Sequence, residues 1–342
     1  MNKGNSVFQF IKKHPIMLIF LALCLIVPAV LRNEYLLRVF CEMFFYAALG
    51  SAWNILGGFG RQTSWCSASF FAMGAYTTML FFINGGGVSP WLTIWLGMAI
   101  AGVLAVIIGL PCFRLRGVFF SIATISFASI VRQILFYFND FTGGAQGLKF
   151  QIRTENSFIN LSFLNETSWY YVAMALMLVT VAVTAIINRS KMGYYLKAIR
   201  EDEDAAESLG IRAHRLKLIA FIISAMLIAA IGTFYGFKMS YIDPNSVASH
   251  DLSIRIGVTA IIGGMGTIWG PVLGAFVAIP MLEIANYYLS TVGGGGAGFA
   301  LYGLAMILIV LLRPNGLISL FDGLKDRIIA KRISREGQVS NE

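Results

Sequence analysis

Four long apolar blocks constrain this chain more than anything else in it. His14 to Leu31, Val118 to Tyr137, Trp169 to Ile187 and Leu218 to Phe237 run with few or no charges. A helix needs roughly 18–22 such residues to cross a hydrocarbon layer about 30 Å thick. A closed β-barrel would show short alternating segments instead. Only 13% of the 342 residues are charged, where a soluble domain carries about a quarter. The pattern predicts an all-α, polytopic transmembrane helical bundle forming one membrane domain over residues 1–342.

The blocks divide into about 10 spans: 15–31, 35–56, 64–83, 91–111, 117–138, 169–187, 216–237, 255–269, 271–290 and 296–312. The eighth runs for about 14 residues and covers only about 21 Å. With Gly263, Gly264, Gly266 and Gly270 it reads as a short or broken helix near 255–269. The N-terminus begins like a signal peptide, Lys12 and Lys13 before an apolar run. Val27, Pro28, Ala29 and Val30 give no clean cleavage site, so it reads as a retained first helix.

An even span count puts both termini on one side, and the charges favour that. Nineteen of the 26 Lys and Arg residues fall on the terminal side, including Arg61, Arg114, Arg116 and the run from Arg189 to Lys217. Six fall opposite: Arg32, Arg38, Lys149, Arg153, Lys238 and Arg255. The positive-inside bias therefore places the termini in the cytoplasm, with a cytoplasmic loop at 188–215, an external loop at 139–168 and a basic cytoplasmic tail at 313–342. The net charge of +9 is spread over these short connections, which argues against nucleic acid as a partner and for a lipid bilayer.

Cys24, Cys41, Cys66 and Cys112 are scattered through apolar runs and read as small buried side chains, without disulfide or metal spacing. His14, His214 and His250 are far apart, so no metal site is expected. No Ser-His-Asp, Cys-His or paired-carboxylate catalytic centre is evident. An internal echo links Gly57-Gly58-Phe59-Gly60 before Gly74 to Gly263-Gly264-Met265-Gly266 before Gly274. It reads either as a repeat, which transporters often carry inverted, or as glycine packing alone.

The 188–215 loop is the most informative stretch. Tyr195, Ile199, Ala206 and Leu209 approximate one apolar stripe at helical spacing. Arg200 and Asp204 are an i, i+4 pair. Gly210 suits the left-handed position that ends a helix, with Ile211 making the accompanying apolar contact. Such a helix either presents a face to a cytoplasmic partner or simply connects two spans.

Asp204-Ala205-Ala206 followed by Gly210 resembles the EAA loop by which ABC importer permeases grip their ATPases, with Asp for the usual Glu. The wider stretch from Lys197 to Ile211 resembles the LivM-type permease of branched-chain amino acid importers. So do Thr142-Gly143-Gly144-x-x-Gly147-Leu148, the segment Ile262 to Pro271 and, with departures at Arg61 to Cys66, Gly60 to Tyr76. These cover most of Gly57 to Leu312. The resemblance implies an inner-membrane permease subunit of a bacterial binding-protein-dependent importer. It would work with a second homologous permease, two cytoplasmic ATP-binding subunits and a periplasmic or lipid-anchored substrate-binding protein. Arg200, Glu201, Asp204, Ala205, Ala206 and Gly210 would then couple to the ATPases. The chain itself would bind no cofactor, ATP and Mg lying on those subunits; its sequence holds no G-x-x-x-x-G-K-[ST] phosphate loop. Permeases of urea and short-amide importers are similar alternatives.

Ionisable side chains within spans are costly and mark function by default. Glu42, Arg132 and Glu283 are the three, all in the outer part of the bilayer. They either engage a zwitterion's ammonium and carboxylate, or brace helices while Arg132, about 9 Å from its span end, snorkels. An ion-coupled secondary transporter using Glu42 and Glu283 as ion or proton sites is the rival function. The Thr142, Gly143, Gly144, Gly147 turn reads as a gate, a docking surface for the binding protein, or a plain loop.

Overall fold

The computed structural model describes residues 23–29, 33–84, 88–149, 161–290, 297–313 and 316–319. Most of the expected first span (15–31), part of the external loop (150–160) and nearly all of the basic tail (313–342) lie outside the described residues. So does His14.

Long helices dominate: α1 (Glu34–Gly57), α2 (Ser67–Asn84), α3 (Pro90–Cys112), α4 (Val118–Tyr137), α6 (Glu166–Arg189), α9 (Ala213–Met239), α11 (His250–Gly264), α12 (Gly270–Ser290) and α13 (Ala297–Leu312). Shorter pieces connect them: α5 (Asn139–Thr142), α7 (Lys191–Glu201), α8 (Glu203–Ser208) and α10 (Pro244–Val247), with strands β1 (Leu148–Lys149) and β2 (Tyr241–Ile242). Among the described residues, six helices are both long and apolar enough to cross a membrane: α1, α3, α4, α6, α9 and α12. The fold is an all-α, multi-pass helical bundle. Length and composition do not raise α2, α11 or α13 to that standard, so about ten full spans are not established.

The glycine-rich segment does form a short helix, shifted from the expected 255–269: α11 occupies residues 250–264 and is continuous rather than broken. Ser249 starts it early by accepting a hydrogen bond from the Leu252 N–H. Positive φ at Gly264 and Gly266 stops it before the next span.

α1 lies at the centre, buried on nearly all sides beyond its first two turns, as befits a helix that carries no charge after Glu42. Phe44 meets Tyr170 of α6 edge-on with ring centroids 5.0 Å apart, and Phe276 of α12 at 5.6 Å. The Tyr170 hydroxyl donates to the Cys24 carbonyl at 2.6 Å and ties residues 23–29 to the bundle. All four cysteines are buried and free. In lipid, helices associate by close van der Waals approach rather than by escape from water. α2 and α9 do this: an added Cβ on Gly74 would sit 1.9 Å from the Ala229 carbonyl oxygen. α3 and α4, by contrast, expose apolar side chains such as Trp95, Ile107, Phe119 and Ile122.

The bundle has two unlike ends. One carries α7, α8, the turn after α1 and the turn after α11. The other carries the β1–β2 ribbon, pairing Leu148 with Ile242, together with α5 and α10. The two echoing glycine turns lie at the same end and touch each other: a Cβ on Gly58 would meet the Gly266 nitrogen at 2.6 Å. An inverted repeat would place them at opposite ends. Mutual packing accounts for the echo.

Candidate functional site

Toward the ribbon end, a cavity of about 330 Å³ opens between α1, α9 and α11. α1 supplies Glu42, Phe45, Tyr46 and Leu49, an i, i+3, i+4, i+7 set on one helical face. α9 contributes Tyr235, Lys238 and Met239, α11 contributes Asp251, Leu252 and Arg255, and Phe71 of α2 joins the wall. The lining thus combines two carboxylates, two cations, and aromatic and aliphatic groups. Arg255 pairs with Asp251 at 2.7 Å and faces the Tyr46 hydroxyl. Arg38 stands 3.9 Å from Glu42. Lys238, its side chain only 4% exposed, lies 3.5 Å from Glu166.

The three sequence candidates separate here. Glu42 lines the cavity. Arg132 stands beside its rim, donating to the Asn245 side-chain oxygen; Asn245 is itself a lining residue. Glu283 accepts from the Tyr35 hydroxyl at 3.3 Å, where α12 meets the start of α1, and does not line the cavity. Lys238, Asp251 and Arg255 carry most of the charge, yet Lys238 and Arg255 read in the sequence as ordinary interfacial residues and nothing there singles out Asp251. α9 extends two residues past its predicted end and α11 begins five before its predicted start. The signal for the latter was the Ser249 cap.

At the opposite end, residues 191–208 form two helices rather than one. Asp202 is responsible: its extended backbone ends α7, and its carboxylate accepts from the Ala205 N–H to start α8. The expected Arg200–Asp204 pair does not form across this break. Arg200 donates to the Gly58 carbonyl at 3.3 Å, while Asp204 pairs with Arg116 at 3.0 Å. Lys217, buried at the start of α9, bridges Glu203 at 2.7 Å and Gln62 at 3.2 Å. Gly210 does adopt the left-handed conformation, φ +84°. Ile211 N–H reaches the Ala206 carbonyl and Gly210 N–H the Glu207 carbonyl, the double closure of a glycine-terminated helix.

This arm therefore has an inside and an outside. Ala206 is buried against Ile199 and Ala213, whereas Glu201, Asp204, Ala205 and Gly210 are exposed. Leu209 is 84% exposed and Tyr194 66%. A shallow hollow lined by Tyr195, Leu209, Gly210, Arg212 and Arg215 adjoins them. The predicted apolar stripe is accordingly split between a buried and an open face.

The Thr142 turn is a built corner. The Thr142 hydroxyl donates to the Leu135 and Phe138 carbonyls and accepts from the Gly144 N–H at 3.2 Å. Gly143, Gly144 and Gly147 all have positive φ, and a Cβ on Gly143 would fall 2.1 Å from the Gly147 carbonyl oxygen. Among the described residues, no group of three or more His, Cys, Asp or Glu is placed to hold a metal ion.

Residues 35–313 match the family model described as branched-chain amino acid transport system / permease component. The chain is 29% identical over 303 residues to the high-affinity branched-chain amino acid transport system permease protein LivM of Escherichia coli K12, covering 80% of this chain and 67% of that protein. It is 27% identical over 165 residues to LivH of the same strain, 48% of this chain and 50% of that one. The ribose import permease protein RbsC of Haemophilus influenzae is 27% identical over 113 residues, 30% and 35% of the two chains. No solved structure matches. With the match spanning nearly the whole helical bundle, the chain belongs to the branched-chain amino acid transport permease family, as a multi-pass membrane subunit of the ABC importer type.

Proposed function

We propose that this subunit carries branched-chain amino acids inward across a bacterial inner membrane, driven by ATP hydrolysed on separate subunits and with no enzymatic centre of its own. The observation that carries the reading is the family match over residues 35–313 together with the likeness to LivM. A second permease of the LivH kind completes the pathway. Two ATP-binding subunits, holding ATP and Mg, seat against the α7–α8 arm, whose exposed Leu209, Tyr194 and Asp204 supply the contact. An external binding protein delivers substrate at the ribbon end. The termini and the arm then share the cytoplasmic side, in keeping with the excess of basic residues there.

Mechanically, ATP-driven closure of the partner subunits moves the arm. Arg200 and Lys217 transmit that movement to the turn at Gly58–Gln62 and so to α1 and α2, which wall the cavity. Reconstitution of the chain with its partner permease, ATPases and binding protein in proteoliposomes tests this. Labelled leucine uptake should require internal ATP and binding protein, stop with vanadate and withstand an uncoupler. Uptake that survives vanadate and collapses with the uncoupler would establish the ion-coupled rival. Uptake of urea or acetamide in place of leucine would reassign the substrate.

A further inference from the structure

We infer that the exposed face of α4 lines the transport path and turns toward the second permease, with Ser126, Ser129 and Gln133 on the path and Arg132 at its edge. This rests on the importer reading and names the surface through which it acts. α1 fills the middle of the bundle, where Phe44, Ala48, Ala52 and Ile55 are fully buried. Among the described residues a polar solute therefore finds no open route through the chain itself, and a path has to run along an outer face. Such a face is polar where lipid would demand hydrocarbon.

α4 meets that requirement. Its buried side consists of Phe120, Thr124, Ala128, Val131 and Leu135. Ser126, Ser129 and Gln133 are exposed and, spaced i, i+3, i+7, stand within about 60° of one another on the opposite side. The other outward-facing spans differ. Between Trp91 and Leu110 of α3, and between Tyr171 and Ile186 of α6, every exposed residue is hydrophobic. Serine hydroxyls tolerate lipid by donating to a carbonyl one turn back, as Ser126 does to Ile122 at 3.1 Å and Ser129 to Ile125 at 3.2 Å. Gln133 has no such escape. Its amide holds two donors and a carbonyl acceptor, and it makes no hydrogen bond among the described residues. It lies about 6 Å inside the end of α4 at Tyr137.

Arg132 supplies an independent sign. It donates to the Asn245 side-chain oxygen and stands 5.7 Å from the Phe136 ring. It forms no ion pair among the described residues, and its buried Nε has no hydrogen-bond partner there. An arginine charge inside a span is kept where water or a protein surface answers it. The flanking backbone agrees. Residues 61–66 are non-helical and lie against the first turns of α4. There Ser121 donates to the Thr63 carbonyl at 2.9 Å, and the Trp65 N–H donates to the Thr124 hydroxyl at 3.2 Å. Irregular backbone within a membrane sits where protein or a water-filled path covers it. A polar stripe beside an unneutralised cation calls for a cover that is itself polar and hydrated. A homologous permease with a face of the same kind meets that need, and hydrocarbon does not.

The test uses the assembled importer in nanodiscs and has two arms. In the first, the photoreactive p-benzoylphenylalanine replaces Phe119 or Tyr137, exposed aromatic residues bordering the stripe, and Trp95 of α3 as a control. Irradiation should capture the second permease from both α4 positions and not from Trp95. In the second arm, Ser126→Cys, Gln133→Cys, Ile107→Cys and Val179→Cys are treated with an anionic, membrane-impermeant thiosulfonate. The native Cys24, Cys41, Cys66 and Cys112 are buried, which keeps the background low. Because only the thiolate reacts and apolar surroundings suppress it, the two α4 positions should react at least about tenfold faster than those on α3 and α6. At Gln133→Cys a cationic thiosulfonate should react more slowly than the anionic one, and Arg132→Gln should erase that bias. Capture of lipid alone or of a second copy of this chain overturns the assignment, as do α4 thiol rates no faster than the controls. Equal rates for the two reagents take Arg132 off the path. Ser126→Cys is nearly isosteric and decides the thiol arm alone if Gln133→Cys fails to assemble. None of these results touches the importer reading, which stands or falls on ATP-driven uptake by the wild-type complex.

Discussion

Asn54 and Gly266 are joined across 212 residues of chain by a hydrogen bond of 2.9 Å, the Gly266 N–H donating to the Asn54 side-chain oxygen. The same amide donates to the Thr267 carbonyl at 2.8 Å. One side chain near the end of α1 thus satisfies two backbone groups in the turn after α11. Asn54 is fully buried, where each orphaned backbone group costs about 1–3 kcal/mol. Asn54→Ala should therefore destabilise the bundle by about 2–4 kcal/mol, seen as a lowered melting temperature in detergent. A change within error would show that water or lipid headgroups serve these groups instead.

Arg200 ties the α7–α8 arm to that same corner through the Gly58 carbonyl. A Cβ on Gly266 would fall 2.1 Å from its guanidinium nitrogen Nη1, so Gly266→Ala must displace the Arg200 side chain. It also strains a backbone with φ +77°. Arg200→Met and Gly266→Ala should each lower transport-coupled ATP hydrolysis, and together they should do little more than Gly266→Ala alone. Contacting residues give such non-additive cycles. Additive losses would mean that the two act on different steps.

The helical elements were legible because lipid marks them by composition. The ends of α1, α3, α4 and α12 fall within a residue or so of the apolar runs, and local signals such as the Asn33 cap of α1 and Pro90 at the start of α3 coincide with them. What failed to show was decided by capping and by tertiary placement. Asp202 looked like one acid among several in a single helix, whereas its carboxylate starts a new helix and redirects Arg200 and Asp204 to separate partners. Lys238 and Arg255 resembled interfacial charges because each lies at or just beyond the expected end of a span. That they share a cavity with Glu42 depends on α1, α9 and α11 converging, and no local pattern encodes that. Arg132 and Glu283 illustrate the converse: being charged within a span drew attention to both, but neither lines the cavity, and Arg132 reaches its wall through Asn245.

Asp204 separates a structural role from a coupling role with one substitution. Its ion pair with Arg116 has both side chains mostly exposed, 74% and 66%, and such pairs contribute no more than about 1 kcal/mol. Asp204→Asn should leave the melting temperature nearly unchanged. If the arm grips the ATPases as proposed, the same variant should lower binding-protein-stimulated ATP hydrolysis several-fold in the assembled importer. Wild-type stimulation at unchanged stability would remove Asp204 from the contact and leave Leu209 and Tyr194 to carry it.

Gly147 offers a way to decide among gate, docking surface and plain loop at the ribbon end. Its backbone, φ 71° and ψ −177°, lies in a region that is essentially glycine-only. A Cβ there would meet the Ile242 carbonyl oxygen at 2.3 Å, so Gly147→Ala should unpair Leu148 from Ile242 and loosen the ribbon. Thr142→Val is the milder companion, removing the hydroxyl that holds the Leu135 and Phe138 carbonyls. A plain loop would tolerate both, with uptake and ATP hydrolysis near wild type. For a docking surface, stimulation by the binding protein should fall while basal ATP hydrolysis persists, and raising the binding-protein concentration should restore it. A gate would behave otherwise: stimulation by the binding protein would persist, uptake per ATP would drop, and excess binding protein would not help. Because the corner is held by the chain's own hydrogen bonds and stands apart from the α7–α8 arm, any loss of coupling in these variants originates at the ribbon end and travels through the bundle.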